Sequence, residues 1–272
     1  MYYYALFISF IAGLAIGSFL NCLIWRLHEE KTILGRSMCT KCKKIIAWYD
    51  NIPLLSFIIL RGKCRHCGAK ISWQYPVVEF FTAVLFVMAM VVNLKFVFFN
   101  FYSILNFETS QFLTSYFFLL TLKSWFIISV MTIIFIYDLK WYLILDIVTL
   151  PACAIIFALN LATGQNWQNL LISGIIGASF FLIQFVVSRG KWIGGGDIRL
   201  GLLMGLTLGW PMVLVAIFLA YIIGSIVGIF LLLTKKKSLG SQIPLGIFLA
   251  PATIIVLFWG EVILQWYWGV LM

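Results

Sequence analysis

The sequence predicts an all-α polytopic membrane protein of about eight transmembrane helices, with a small polar domain inserted between helices 1 and 2. Hydrophobic residues make up 63% of its 272 residues, whereas charged residues make up only 10%. A soluble domain is about 25% charged, and a membrane-spanning helix requires about 20 mainly apolar residues. Apolar runs near this length alternate with short polar loops along most of the chain.

Eight apolar runs define the predicted helices. They cover residues 2–25, 77–99, 113–137, 143–163, 168–188, 197–209, 211–233 and 245–270. The first run is longer than a signal-peptide core and no basic residue precedes it, so we expect it to remain as a span. The sixth run is short for a crossing and is followed by Pro211. The sixth and seventh runs could therefore form one broken helix instead.

Residues 26–76 differ in composition from the rest of the chain. They contain ten of the nineteen Lys and Arg residues, both histidines and four of the six cysteines. The predicted division is therefore a first transmembrane helix at 1–25, an inserted domain at 26–76 and a transmembrane domain at 77–272.

The distribution of basic residues predicts the orientation of the helices. If the inserted domain is cytoplasmic, eight spans place seventeen of the nineteen basic residues on the cytoplasmic side, including the lysine run at 235–237. The positive-inside rule expects this bias, whereas seven spans would move the lysine run to the other side. We interpret the net charge of +10 as cytoplasmic loops in contact with anionic membrane lipid, and we expect no nucleic-acid partner.

Two Cys-x-x-Cys pairs predict a metal site in the inserted domain. Cys39 and Cys42 form the first pair, and Cys64 and Cys67 form the second, with 21 residues between the two pairs. Four thiolates at this spacing suit tetrahedral Zn²⁺, and such a site has no open coordination position for catalysis. Disulfides or redox dithiols are the alternative, which a reducing cytoplasm disfavours. We expect a zinc ion that supports folding.

Two carboxylates are predicted at the same membrane depth. Asp138 ends the third span, and Asp197 begins the sixth span after Gly194, Gly195 and Gly196. Ionisable residues at such positions are usually functional. Paired carboxylates can serve as base and acid in peptide hydrolysis, and glycine permits positive φ and the close approach of another backbone. The alternative is a proton-coupled membrane transporter in which Asp138 and Asp197 carry protons.

Three further polar residues are candidates. Asp146 follows Asp138 by eight residues and lies close to the same face if the segment is helical. It is therefore a candidate for the partner carboxylate or for a supporting residue, although it also suits a helix cap. Lys140 is a candidate supporting residue that also suits an interfacial anchor. Glu79 lies in the first turn of the second span, where it either stabilises the helix start or binds an amine.

These patterns together resemble the bacterial type IV prepilin leader peptidase/N-methyltransferase family, which belongs to the Gly-x-Gly-Asp intramembrane aspartic peptidases. Segments 17–27 and 36–79 resemble the end of the family's first span and its zinc domain. Residues 194–197 fit the Gly-x-Gly-Asp motif, and Asp138 fits the other catalytic aspartate.

This chain departs from the family pattern at two positions. Leu145 stands before Asp146 where the family often has Pro, and Gln74 stands before Tyr75 where it often has Arg. The second departure lies in the region from Trp48 to Glu79, to which the resemblance assigns the methyltransferase function.

The resemblance implies a two-step activity. Such enzymes remove the basic leader of prepilins and pseudopilins at the cytoplasmic face, next to the substrate's apolar N-terminal helix. They then methylate the new N-terminal amine with S-adenosylmethionine. The implied location is the bacterial cytoplasmic (inner) membrane, with the zinc domain and the active site on the cytoplasmic side. The implied site residues are Asp138 and Asp197 for catalysis, Cys39, Cys42, Cys64 and Cys67 for zinc, and Glu79 as a candidate for cofactor binding.

Overall fold

The computed structural model describes residues 2–101, 107–235 and 243–271, within two compact units at 1–113 and 114–272. The helices are α1 (Tyr2–His28), α2 (Leu55–Ile59), α3 (Gln74–Phe101), α4 (Phe107–Trp141), α5 (Asp146–Ala162), α6 (Trp167–Ser188), α7 (Gly195–Leu208), α8 (Met212–Leu233) and α9 (Gly246–Leu271). A 3-10 turn at Trp48–Asn51 precedes α2. The β-pairing found in these ranges consists of isolated bridges, so the all-α prediction is confirmed.

Six of the described helices are long and apolar enough to cross a membrane, namely α1, α3, α4, α6, α8 and α9. Of the remaining described helices, α5 and α7 have 17 and 14 residues, and α2, in the inserted segment, has five. Each predicted run corresponds to one of these helices, with its ends displaced by a few residues. The chain is therefore a multi-pass membrane protein. Of the lysine run used to orient it, residues 236 and 237 lie outside the described residues.

The sixth and seventh runs form two helices and not one broken helix. A Cβ atom at Gly177 of α6 would lie 2.2 Å from the carbonyl oxygen of Gly201 in α7 and 3.3 Å from Cγ2 of Val213 in α8. Gly201, before the turn at 209–211, and Val213, after it, therefore both lie against Gly177 of α6. The chain therefore reverses direction at this turn.

In the first unit, α1 packs closely against α3. A Cβ atom at Gly17 would lie 2.8 Å from the Cα atom of Glu79, and small residues permit such contacts between membrane helices. Further along α1, the side chain of Asn21 donates to the Tyr75 carbonyl at 3.2 Å and accepts from Nε2 of Gln74 at 3.0 Å. Gln74, which stands where the family often has Arg, therefore helps to link α3 to α1.

The inserted segment is also held by α1. The guanidinium group of Arg26 donates hydrogen bonds to three backbone carbonyls of this segment, those of Ile33, Gly35 and Arg36. A charged donor with several N–H groups can satisfy such irregular backbone. Arg26 thereby fixes the direction in which the chain leaves α1.

In the second unit, α7 is the central helix, since it contacts α5, α6, α8 and α9. It crosses α6 backbone to backbone: a Cβ atom at Gly205 would lie 2.2 Å from the carbonyl oxygen of Ser173. The apolar core around it includes Ile127, Phe181, Leu200 and Met204, all fully buried. This packing holds the first turn of α7, which carries Asp197, within the unit.

A polar network lies at the opposite end of this unit. The buried Lys123 of α4 donates from Nζ to Asn160 Oδ1 and to Thr163 Oγ1, both at 3.1 Å. Asn160 in turn donates to the Leu206 carbonyl of α7 at 2.7 Å. Lys123 therefore has partners from the neighbouring helix, and the network ties α4 and α5 to α7.

Candidate active site and metal site

Asp138 lies in the last turn of α4 and is only 4% exposed. The backbone N–H groups of Gly246 and Ile247, in the first turn of α9, approach its carboxylate. Its Oδ2 atom is buried and has no hydrogen-bond partner among the residues that the structure describes. The side chain is therefore placed at a helix N-terminus, which favours a carboxylate, and one oxygen remains available.

Gly246 is a site residue that the sequence motifs do not reveal. A Cβ atom at this position would lie 2.7 Å from Oδ2 of Asp138, so glycine leaves the space that the carboxylate occupies. Its only signal in the sequence is a glycine that follows Pro244 and opens the last apolar helix.

Asp197 is the third residue of α7 and is 7% exposed. Its Oδ2 atom accepts a hydrogen bond from the Gly194 N–H at 3.0 Å. Gly194 occupies the N-cap position, so Asp197 is not itself the N-cap residue. The hydrogen bond instead closes the first helical turn and fixes the orientation of the carboxylate.

The three glycines before Asp197 act through close approach and not through unusual backbone angles, because none of them has positive φ. A Cβ atom at Gly196 would lie 2.8 Å from Cβ of Ile144, so the start of α7 fits against the turn between α4 and α5. Gly194 and Gly195 are exposed, and no atom lies within 4 Å of a Cβ built at Gly195. The turn beside Asp197 therefore has an open side.

These contacts bring the two carboxylates into one site of the second unit. Ile144 follows Asp138 by six residues and touches Gly196, the residue before Asp197. The two carboxyl groups are close enough to interact electrostatically. Two carboxyl groups that share a proton can act as base and acid in one reaction.

Asp146 and Lys140 are exposed, unlike the two buried aspartates. Asp146 begins α5 and forms an ion pair with Arg199 of α7, so it links the starts of these two helices. Lys140 lies over the Trp141 ring, 5.4 Å from its centroid. A supporting role for either residue stays a prediction.

Four cysteines form a compact cluster in the inserted segment. The Sγ atoms of Cys39, Cys42, Cys64 and Cys67 all lie within 4.8 Å of one another. All four are free thiols, and the 3.9 Å between Cys39 and Cys67 is far longer than a disulfide bond of about 2.05 Å. Tetrahedral Zn–S bonds of about 2.3 Å place the sulfurs about 3.8 Å apart. The cluster therefore has the dimensions of a zinc site.

Each cysteine pair lies in the same kind of turn, closed by one antiparallel bridge. The bridges pair Met38 with Ile45 and Lys63 with Lys70. Gly68 has φ +66°, as expected of a glycine in a tight turn, and Lys43 adopts φ +58° at the equivalent place. The backbone N–H of Cys42 donates to the Cys39 sulfur and lowers the pKa of that thiol to about 6. This hydrogen bond favours the thiolate of Cys39, the form that a metal ion requires.

Asp50 anchors the second cysteine turn, a role that the sequence alone did not reveal. Arg65, beside Cys64, donates from Nε and Nη2 to the Asp50 carboxylate at 2.8 and 2.6 Å. These hydrogen bonds hold the pKa of Asp50 below its usual range. The only signal is an acidic side chain in an otherwise strongly basic segment.

Glu79 is buried in the first unit. Its Oε2 atom accepts a hydrogen bond from the Leu54 N–H at 2.8 Å, and Leu54 has φ +60°. Glu79 thus holds the turn from which α2 begins, and its candidate role in cofactor binding stays a prediction.

Known proteins match this chain over most of its length. Residues 11–93 match the Bacterial Peptidase A24 N-terminal domain, and residues 125–229 match the Type IV leader peptidase family. A Legionella pneumophila protein named prepilin leader peptidase/N-methyltransferase is 31% identical, and the alignment covers 98% of this chain and 96% of that protein. The chain belongs to the type IV leader peptidase family.

Further members of the type IV leader peptidase family support this assignment. A Vibrio cholerae protein with the same name is 34% identical over 95% of this chain and 98% of its own length. A Myxococcus xanthus protein with this name is 31% identical over 84% of this chain, and the chain spans 64% of that relative's length. No solved structure matches the chain.

Proposed function

We propose that this chain is a prepilin peptidase, an aspartic endopeptidase that cleaves leader peptides from type IV prepilins and pseudopilins and N-methylates the new N-terminal residue. The observation that carries the proposal is the meeting of Asp138 and Asp197 in one buried site. The chain's relatives are named for both activities. The comparisons lend no support to the transporter alternative.

We assign the peptidase chemistry to the two aspartates. One carboxylate takes a proton from a water molecule as the water oxygen adds to the scissile carbonyl carbon, while the other carboxyl group donates a proton to the carbonyl oxygen. The C–N bond then breaks as the carboxyl group that took the water proton donates it to the leaving amine, and the other carboxylate recovers its proton from a hydroxyl of the tetrahedral intermediate. The partnerless Oδ2 atom of Asp138 supports this assignment, because it can accept a hydrogen bond from water. The open turn at 194–195 offers space for the substrate backbone.

The four-cysteine cluster would hold a Zn²⁺ ion that stabilises the fold of the inserted segment. Since all four tetrahedral positions are filled by thiolates, no position is left to activate a substrate. S-adenosylmethionine is the methyl donor that a methyltransferase of this kind implies. Glu79 stays the candidate residue for binding this donor, and its Oε2 atom accepts a hydrogen bond from the Leu54 N–H. No other residue is assigned to the methyl donor.

We further propose that the substrates carry a basic leader followed by an apolar N-terminal helix. In this proposal the chain lies in the bacterial cytoplasmic (inner) membrane, with the inserted segment 26–76 and the aspartates on the cytoplasmic side. The clustering of basic residues supports this orientation. We assign segment 26–76 to methyl transfer and the region 77–272 to cleavage.

Mass spectrometry of a prepilin peptide tests both activities. The peptide is incubated in detergent with the purified protein and S-adenosylmethionine, and we expect a shortened product that carries one extra methyl group. The Asp138→Asn and Asp197→Asn variants should give no product, whereas Glu261→Gln, at an exposed carboxylate of α9, should cleave normally. Cleavage by Asp197→Asn would remove this residue from the mechanism. A shortened but unmethylated product would remove the transferase activity alone.

A further inference from the structure

A polar pair lies on the largely apolar outer surface of α6 and α8. The Tyr221 hydroxyl donates to Oε1 of Gln184 at 2.9 Å. Tyr221 is 37% exposed and Gln184 is half-buried. Exposed apolar residues surround the pair on the same helices, namely Ile183, Val187, Phe218 and Ile222. The exposed Ser225, one turn beyond Tyr221, donates its hydroxyl to the Ile222 carbonyl of its own helix. Polar side chains in spanning helices normally face the bundle interior, so this outward pair points to a function.

The pair lies level with Asp197. Gly177 of α6 touches Gly201 of α7, and the helices run antiparallel, since the next contact joins Ser173 to Gly205. With a rise of about 1.5 Å per residue, Gln184 lies about 10 Å from the first contact, and Asp197 about 6 Å from it in the same direction. Along the helix axes, Gln184 and Asp197 are therefore separated by less than one helical turn.

The pair also keeps unused hydrogen-bonding capacity. Besides accepting from Tyr221, the Gln184 side chain makes one 3.4 Å contact to the Phe180 carbonyl of its own helix. A primary amide offers two N–H donors and two acceptor lone pairs, and a phenol hydroxyl can accept as well as donate. A ligand with both N–H and C=O groups would satisfy the remaining groups.

We propose that Gln184 and Tyr221 dock the substrate backbone beside the scissile bond as the substrate arrives laterally from the bilayer. This proposal rests on the proposed function. The scissile bond adjoins the substrate's apolar helix at the cytoplasmic face, and the backbone N–H and C=O groups beside that bond need hydrogen-bond partners while it is held extended for cleavage. Gln184 supplies a donor and an acceptor at the height of Asp197. Both are positioning residues and take no part in proton transfer.

Photocrosslinking tests the docking step without requiring cleavage. A benzophenone amino acid is placed at position 221 in an Asp138→Asn background, and an intact prepilin is added in proteoliposomes. We expect a crosslink to the prepilin within the residues that flank its cleavage site. The same probe at Ile155, an exposed apolar residue of α5, is the matched control and should give none. Equal or weaker crosslinking at 221 than at 155 would overturn the proposal.

Kinetic measurements distinguish substrate docking by Gln184 and Tyr221 from a purely structural hydrogen bond between α6 and α8. For Tyr221→Phe and Gln184→Met we expect kcat/KM to fall about tenfold, through KM, because each variant loses a hydrogen bond to substrate. The thermal unfolding midpoint should stay unchanged, and Gln184→Asn should recover part of the loss. A lower midpoint with unchanged KM would make the pair a structural tie and overturn the proposal. Unchanged kinetic constants in both variants would also overturn the docking proposal. Cleavage of prepilin by the wild-type protein in the same assay would leave the proposed peptidase function intact.

Discussion

Gly246 occupies a position next to Asp138 where a side chain would collide with the carboxylate. In Gly246→Ala the new Cβ atom would lie 2.7 Å from Oδ2, so the carboxylate must move. Because a displacement of about 1 Å at a reacting group can cost about 100-fold in rate, we expect cleavage to fall by about that factor. The rate of leader removal, measured by mass spectrometry at equal protein concentration, checks this.

Gly269 of the same helix provides the control for this substitution. No atom lies within 4 Å of a Cβ built there, so Gly269→Ala should cleave at the wild-type rate. Wild-type cleavage by Gly246→Ala itself would show that the observed position of Asp138 is not the reactive one.

Single residues differ in how far their place in the site can be predicted from the sequence. Asp138 and Asp197 are recognisable because a carboxylate beside an apolar run is rare and has few other uses. Gly246 and Asp50 are not, because their roles depend on which neighbours the fold supplies. Gly246 is defined by its distance to Asp138, and Asp50 by its hydrogen bonds to Arg65.

At the scale of elements, the crossing of α6 and α7 sets the position of Asp197. Gly177→Ala would place a Cβ atom 2.2 Å from the Gly201 carbonyl oxygen, so the two helices must separate. Overpacking of this kind costs about 1–3 kcal/mol. We expect a lower unfolding midpoint and slower cleavage, whereas Gly228→Ala, whose Cβ would meet nothing within 4 Å, should change neither. Wild-type midpoint and rate in Gly177→Ala would contradict this packing.

The Lys123 network provides a second element-scale prediction. Lys123→Met removes the donor to Asn160 and Thr163 and leaves buried acceptors unsatisfied, which costs about 1–3 kcal/mol. Lys123 is 15 residues before Asp138 in α4, about 22 Å along the helix axis, so kcat should be unchanged. Thermal unfolding and kcat are measured together, with Lys95→Met at an exposed lysine as control. A large fall in kcat without destabilisation would instead give Lys123 a functional role.

The apolar runs predicted the helices well because length and hydrophobicity alone define a membrane span. Which faces meet could not be predicted in the same way. A helix that is apolar all round carries no periodic signal for its partner. The short helix α2 and the outward pair of Gln184 and Tyr221 therefore emerge only from the structure.

At the scale of the whole molecule, the two candidate sites belong to different units. The four cysteines lie in the first unit, and Asp138 and Asp197 lie in the second. The matches to the two family domains divide the chain in the same order, with residues 11–93 before residues 125–229. Damage to one site should therefore leave the chemistry of the other largely intact.

The double variant Cys39→Ser/Cys42→Ser tests this separation. Loss of two thiolates should release the metal, and the turns around both cysteine pairs should loosen, because metal binding contributes to folding in such sites. We expect zinc content to fall from one ion per chain to none and methylation to be lost, while leader cleavage continues. Cys22→Ser, in α1 and outside the cluster, should keep zinc and both activities. If cleavage disappears together with methylation while circular dichroism shows the helices intact, the two activities depend on one shared site and the separation is wrong.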